Sequence, residues 1–264
     1  MTFTQSIVLA VVQAVNELLL LTSVGHRVLL EPLIGWPAPG STLPLTLVLA
    51  ILVTFWRDVG DMVAGVFRAA KGKRDSGARL AAQILAAAVI TITTGVLLQI
   101  YVLGVLEPSV AVIGWVLIGV AVILFFFDRM SMTVKRIEHA TYLDTILIGL
   151  GQVLALYPGV GSVAIMVILA RMLGYERQAA VRLSLLLAAP VLIAVGIRAL
   201  VQAPPDGSQP IAGLLPHIAA FFAALIVLAI LMAWLRRGSF LPFVIYRLLL
   251  GGAVLAVGYG WVAV

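Results

Sequence analysis

The sequence contains no cysteine and little charge: of its 264 residues, 11% are Asp, Glu, Lys or Arg, while 63% are hydrophobic. Ordinary soluble domains carry about 25% charged and about 45–50% apolar residues, so a soluble globular fold is excluded. The missing cysteines exclude a small disulfide scaffold, and the mean hydropathy of +1.18 excludes a disordered chain. These absences leave an all-α polytopic membrane protein, which we expect to form a single membrane domain over residues 1–264.

Basic residues outnumber acidic ones, 17 to 11, but they are concentrated in loops. This placement follows the positive-inside rule and does not resemble a nucleic-acid-binding patch, so we predict no nucleic-acid partner. The basic loops are predicted to face the cytoplasm, and they lie at residues 57–79, 129–136 and 236–237. The connections at residues 103–108 and 202–210 contain no Lys or Arg and are predicted to lie on the other side.

Six apolar segments are predicted to cross the bilayer as helices, because a spanning helix needs roughly 20 apolar residues. The first of them is short and would have to extend past its flanks, and the fourth contains Pro190, which predicts a kink. The six segments are residues 43–56, 80–102, 109–127, 180–201, 211–235 and 243–264.

Two further segments, residues 7–35 and 146–174, each consist of two short apolar arms separated by a polar or glycine-containing tip. Arms of this length predict re-entrant helical hairpins. At a constant offset of 139, Gln13 pairs with Gln152 and Ser23 with Ser162, which indicates a weak internal repeat. One hairpin plus three spans per repeat gives halves of opposite orientation, at roughly residues 1–128 and 140–264. Inverted repeats with broken helices place a binding site near the midplane of the membrane.

The first hairpin concentrates polar side chains where exposure to lipid would be costly. Gln13 and Glu17 are four residues apart, on one helical face. An ionisable residue at membrane depth is a functional hypothesis by default, although Glu17 has a purely structural alternative, an ion pair with Arg27 inside the bundle. Ser23 and His26 are close enough in sequence for the imidazole to accept the hydroxyl proton if the backbone folds back.

The tip of the second hairpin reads Pro158-Gly159-Val160-Gly161-Ser162. Backbone N–H groups in a glycine-rich turn can form an anion-binding nest. Glycines also let helices pack closely in membranes, so a structural explanation of this turn remains open. Small residues four apart in TTGVLL and LGGAV suit close packing within one chain or between two copies in a homodimer.

These residues resemble the motifs of the undecaprenyl-diphosphate phosphatase family, also called BacA or UppP. The stretch QAVNELLLLTSVGH resembles the family signature EGxTEFxPxSSTGH, and YPGVGSVA resembles the PGxSRSG motif. SFLPFVIYRLLLGGAV looks like the closing helix of the family, and the similarity covers nearly the full length. The resemblance implies an integral enzyme of the bacterial inner membrane, which removes the terminal phosphate of undecaprenyl diphosphate and so recycles the lipid carrier for cell-wall peptidoglycan.

The resemblance also implies residue roles. Ser23 corresponds to the proposed nucleophile, His26 to the motif histidine and Glu17 to the second motif glutamate, which orients His26 or holds a divalent cation, Mg²⁺ or Ca²⁺. The first motif glutamate is replaced by Gln13, which removes one carboxylate from such a metal site. The predicted substrate-binding residues are Gln13, Thr22, Arg27, Gly159, Gly161 and Ser162.

The family's Ser-Arg-Ser is Gly161-Ser162-Val163 here, so the arginine of the second motif is missing. A diphosphate needs fixed cationic or metal stabilisation. Arg27 is the better candidate for a replacement, and Arg171 would reach the site only if its arm tilted or the tip bent.

Three functions stay open on this basis. The first is a phosphatase acting on a polyprenyl diphosphate. The second is a catalytically impaired relative, a flippase-like protein that binds such lipids or moves them between leaflets. The third is a structural partner of another envelope enzyme.

Overall fold

The computed structural model describes most of the chain, and its helices follow the predicted segments. The described residues are 3–18, 20, 24–26, 28–29, 43–73, 75–101, 108–131, 134–202 and 214–262. Within them the α-helices are α1 (Phe3–Leu18), α2 (Leu43–Thr54), α3 (Trp56–Ala70), α4 (Ser76–Tyr101), α5 (Val110–Met130), α6 (Tyr142–Leu154), α7 (Ser162–Met172), α8 (Arg177–Val201), α9 (Leu214–Trp234) and α10 (Leu241–Gly258).

Five of these helices, α4, α5, α8, α9 and α10, are long and apolar enough to cross a membrane, and α2 with α3 would form a sixth crossing segment if that bent pair is one span. The chain is therefore an all-α, multi-pass membrane protein. Pro190 lies inside α8. The last helix ends at Gly258 and not at residue 264 as predicted, since residues 259–260 form a turn with Gly260 at φ 72°.

The predicted extension of the span at residues 43–56 is wrong at its C-terminal end. The helix stops at Thr54, and α3 leaves it at an angle of 84°. The hydroxyl of Thr54 donates to the Ala50 carbonyl oxygen at 2.8 Å. Asp58, in the first turn of α3, forms a buried ion pair with Arg182 of α8. In a straight helix Arg57 and Asp58 would lie further along the bundle. Because the chain bends, Asp58 lies beside Arg182.

Helix ends define two faces of the bundle. On one face Asp128 of α5 accepts a hydrogen bond from Arg177 at 2.6 Å and another from the Phe240 amide at 3.2 Å, which joins the ends of three spans. On the other face the indole of Trp115 donates to the Tyr259 hydroxyl at 3.2 Å. The predicted basic loops all belong to the face of Asp128, which we call the basic face.

The second hairpin, α6 and α7, returns to the face that it leaves. Thr141 caps α6 by accepting from the Asp144 amide at 3.1 Å. Tyr175, just after α7, donates its hydroxyl to Asp144 at 2.7 Å, so the start of one arm lies beside the end of the other. Both ends are on the basic face, and neither helix is long enough to span, which confirms a re-entrant hairpin.

The helix pairs follow a regular pattern between the halves. Helix α1 packs on α9 as α6 packs on α4, while α5 packs on α10 and α2 on α8. This is the pairing expected when two halves of similar order are inverted relative to one another. The bounds of the two repeats, at roughly 1–128 and 140–264, stay a prediction.

Candidate functional site

Arg247 of α10 joins the turns of the two hairpins. Its side chain is fully buried, at 0% exposure. One terminal nitrogen donates to the Leu20 carbonyl oxygen at 2.9 Å, and the other donates to the carbonyl oxygens of Gly159 at 2.7 Å and Val160 at 3.0 Å. Because one guanidinium bonds to both turns, the tips of the hairpins meet within the bundle.

The two turns share a backbone conformation that side chains rarely adopt. Leu20 has φ 59° and Gly159 has φ 96°, and the two residues are separated by the offset of 139 found in the sequence. Gly159 also packs closely on α5, since a Cβ there would lie 3.2 Å from the Ile113 carbonyl oxygen. A leucine at positive φ costs roughly 1–3 kcal/mol and persists only where the surroundings hold it. The hydrogen bond from Arg247 is part of what holds it.

The charge of Arg247 is not neutralised by any acidic side chain among the residues that the structure describes. Arg247 forms no salt bridge within that part of the chain. Its Nε atom is buried there without a hydrogen-bond partner. Burying an unpaired cation is expensive, even when carbonyl dipoles surround it. A site of this kind suits an anion, and the planar guanidinium group matches phosphate oxygens well.

His26 is positioned by the residue next to Arg247. The Nε2 atom of His26 lies 2.5 Å from the Tyr246 hydroxyl, and the two rings stack with centroids 5.7 Å apart. Gly25 brings this arm of the first hairpin against α10, because a Cβ at Gly25 would lie 2.9 Å from Leu250. Helix α10 therefore presents a tyrosine to the predicted general base and an arginine to the two turns.

Gln13 and Glu17 lie one turn apart on α1, as predicted, and both are partly buried. The Oε1 atom of Gln13 is buried and has no hydrogen-bond partner among the residues that the structure describes. No group of three or more His, Asp or Glu side chains close enough to hold a metal occurs among the described residues. Glu17 and Gln13 offer one carboxylate and one amide oxygen, which fits a divalent cation that also takes oxygens from substrate phosphates and water.

The remaining predicted site residues divide into two groups. Ser23, Thr22 and Arg27 lie outside the described residues. Gly161 precedes α7 with φ 81°, and Ser162 is the first residue of that helix, so both follow the carbonyl groups that bind Arg247. The anion nest predicted at this turn stays a prediction.

Arg171 does not approach the turns, so the condition under which it could replace the missing arginine is not met. It lies near the basic end of α7, where it donates to the carbonyl oxygens of Tyr175 at 2.6 Å and Asp128 at 3.0 Å. Its Nε atom is 3.6 Å from the Asp128 carboxylate. The helix holds Arg171 too far from the tip, and its charge is already paired.

Tyr246 and Arg247 are absent from the residues that the sequence predicted for the site. The signal was available, because Arg247 is an ionisable residue inside an apolar segment, like Glu17. The segment SFLPFVIYRLLLGGAV suggested only a closing helix.

Comparison with known proteins gives the family of the chain. The family model described as "Bacitracin resistance protein BacA" matches residues 6–253. The chain belongs to the BacA family. Undecaprenyl-diphosphatase 1 of Rhodospirillum rubrum is 40% identical, over 97% of this chain and 95% of the relative. The undecaprenyl-diphosphatase of Roseobacter denitrificans is 36% identical, over 98% of this chain and 100% of the relative. The BacA match therefore includes α1, both hairpin turns and the part of α10 that carries Arg247.

Proposed function

We propose that this multi-pass membrane protein hydrolyses undecaprenyl diphosphate to undecaprenyl phosphate and inorganic phosphate. The BacA family and the names of the relatives support this reaction and its lipid substrate. The observation that carries the proposal is the buried, unneutralised charge of Arg247 between the hairpin turns. A diphosphate headgroup would supply the missing negative charge, while the isoprenoid chain extends between the helices into lipid.

Arg247 also supplies a cation at this site, although the arginine of the second motif is missing. Terminal-phosphate transfer needs positive charge fixed close to the equatorial oxygens. The carbonyl groups of Leu20, Gly159 and Val160 hold the guanidinium in one orientation, so little reorganisation is needed when the substrate binds. Its buried Nε–H group is one donor that a phosphate oxygen can take.

In the proposed reaction the Oγ atom of Ser23 attacks the terminal phosphorus, and His26 takes the hydroxyl proton. The bond between that phosphorus and the bridging oxygen breaks, and the lipid leaves as its monophosphate. Water then releases inorganic phosphate from the serine. Tyr246 fixes the orientation of the His26 ring through the 2.5 Å contact.

We include a divalent cation, Mg²⁺ or Ca²⁺, in this proposal as a second source of positive charge. Glu17 and Gln13 are the residues that would hold it, and it would neutralise charge on the diphosphate oxygens. Because Gln13 is an amide, the protein contributes one negative charge to such a site where two carboxylates would contribute two.

The proposed location is the inner membrane of a bacterium, where the product re-enters cell-wall synthesis as a lipid carrier. The basic face would then be cytoplasmic by the positive-inside rule. The first hairpin would enter from the outer side and the second from the cytoplasmic side.

The test measures phosphate release by the purified protein from farnesyl or undecaprenyl diphosphate, with Mg²⁺ or Ca²⁺. We expect release by the native chain and its loss in both Ser23→Ala and Glu17→Gln. The variant Arg198→Gln, at an exposed arginine on the opposite face, serves as a matched control and should keep full activity. No release, with saturable lipid binding that depends on Glu17, would instead indicate a carrier. Full function in cells with both residues replaced would indicate a structural partner.

A further inference from the structure

Helix α3 runs across the basic face and not along the bundle. It leaves α2 at 84°. Its middle crosses the start of α4, where a side chain at Gly77 would collide with the Asp61 carbonyl oxygen and one at Gly65 with the Ala78 amide. Since α4 begins at Ser76 on the basic face, the middle of α3 lies at the basic end of the bundle.

One side of α3 is apolar and uncovered. Trp56, Val63, Val66 and Phe67 are 65%, 52%, 50% and 69% exposed. Trp56, Val63 and Phe67 follow one another at spacings of seven and four residues, so they project from the same side of the helix. The opposite side carries Asp58, which is buried against α8. An apolar side on a helix that lies at the membrane boundary is typical of interfacial helices.

Basic groups flank this apolar side. The guanidinium of Arg57 lies over the Trp56 ring, 5.4 Å from its centroid. Lys71 and Lys73 follow the helix, and neither forms a salt bridge within the described part of the chain. Lys73 and Arg79 line a shallow cavity of about 500 Å³ together with the small side chains of Ala69, Ser76 and Ala78 and with Asp75, which is paired to Arg68.

We propose that α3 is an interfacial helix that binds anionic phospholipid in the leaflet of the basic face. Trp56, Val63 and Phe67 insert among the upper acyl chains, while Lys73 and Arg79 bind the headgroup phosphate in the cavity and Lys71 contributes nearby positive charge. Apolar insertion combined with basic charge is the combination that selects anionic membrane surfaces. The basic side chains around α3 would repel a basic partner. The proposal does not depend on the phosphatase reaction.

The absence of cysteine from the chain allows a direct test with single-cysteine variants. Phe67→Cys on the apolar side and Asp61→Cys, exposed on the other side, are reconstituted into nanodiscs that hold one copy each. The discs contain phosphatidylcholine with 30% phosphatidylglycerol, or phosphatidylcholine alone. The measured quantity is the rate of labelling by a charged maleimide that does not enter the bilayer.

We expect Phe67→Cys to react at least ten-fold more slowly than Asp61→Cys in the discs with phosphatidylglycerol. In the background Lys71→Gln, Lys73→Gln, Arg79→Gln, the labelling of Phe67→Cys should speed up several-fold, because the charge that draws α3 to the lipid is gone. Equal rates at the two positions would overturn the proposal, since the apolar side would be open to water. Protection that is the same without phosphatidylglycerol would overturn the anionic-lipid site. Protection found only when discs hold two copies would show that a second chain covers α3.

Discussion

Two arginines, Arg171 and Arg247, are buried to the same extent in this membrane protein, yet their surroundings differ. Both bind main-chain carbonyl oxygens, and in both the Nε atom makes no hydrogen bond to any residue in the described ranges. Arg171 lies 3.6 Å from the Asp128 carboxylate, which Arg177 also contacts. Arg247 has no acidic partner within the described residues, and its acceptors belong to the turns of two hairpins.

The difference separates a structural charge from one that is available to a ligand. The charge of Arg171 is compensated by the protein, so its removal takes away a contact to Asp128 and two hydrogen bonds to carbonyl oxygens, which weakens the basic end of the bundle. The charge of Arg247 is solvated by carbonyl dipoles but is not neutralised by an acidic side chain within the described residues, so a phosphate can neutralise it. Burial alone would have assigned both residues to the same role.

The largest effect is expected for Arg247→Gln, which removes the cation between the turns. Loss of one fixed donor at a developing anion typically costs a factor of about 10²–10³ in rate, so phosphate release should fall by that amount. The melting temperature should fall as well, because the carbonyl oxygens of both turns lose their donor, so the rate is compared per folded molecule. Arg247→Lys should restore part of the rate. A rate within three-fold of native for Arg247→Gln would mean that this arginine only holds the turns.

The second prediction concerns Arg171→Gln. Removing one partner of a buried ion pair costs about 3–5 kcal/mol, and we expect the lower end because Arg177 still contacts Asp128. Thermal unfolding in detergent would show the loss, while the rate per folded molecule stays within about two-fold. The double variant Arg171→Met, Asp128→Asn, which removes both charges of the pair, should recover much of the stability that the single variant loses. Normal stability with lost activity would place Arg171 in the site after all.

Tyr246→Phe tests how His26 is held, with a smaller expected effect. The variant removes the hydroxyl that lies 2.5 Å from His26 Nε2. One hydrogen bond of about 0.5–1.5 kcal/mol corresponds to a roughly 3- to 10-fold lower rate, and the pH profile of phosphate release should shift as well. The matched control is Tyr259→Phe, whose hydroxyl contacts Trp115 on the opposite face. Equal rates and equal pH profiles for both variants would exclude a positioning role for Tyr246.

The smallest effect on stability is expected for Asp75→Asn, which changes the partner of the exposed Arg68. Its hydrogen bond to Asp75 at 2.6 Å lowers the pKa of that carboxyl below its usual value near 3.8. A lowered pKa in the folded state stabilises the protein above pH 4, and this contribution disappears as the pH falls through the folded-state value. Asp75→Asn should therefore lower the melting temperature at pH 7 by less than about 2 °C, since exposed pairs contribute little. The difference between native and variant should shrink as the pH falls below 3.8, and a difference that does not shrink with falling pH would contradict the assignment.

Much of the fold could be predicted because membrane burial leaves a local record in the sequence. The bounds of α4, α5 and α9 differ from the predicted spans by at most a few residues. The second hairpin was predicted from two apolar arms and a glycine tip. The prediction failed at residues 43–56, where the chain bends and Asp58 pairs with Arg182, 124 positions away.

The candidate site was predicted only in part, for the same reason. Gln13 and Glu17 share a face because helical spacing places them there. The contact of His26 with Tyr246 joins residues 220 positions apart, and that of Arg247 with Leu20 joins residues 227 apart. No periodicity within a helix records such a distance.

The sequence by itself determined that this chain enters a membrane, roughly where it crosses, and where two hairpins turn back. Those properties follow from the cost of placing each residue in hydrocarbon, which is a sum over local segments. The tertiary structure alone decided which buried charge is neutralised and which is left open. That choice depends on which helices pack together, because a charge is compensated by the groups around it in space.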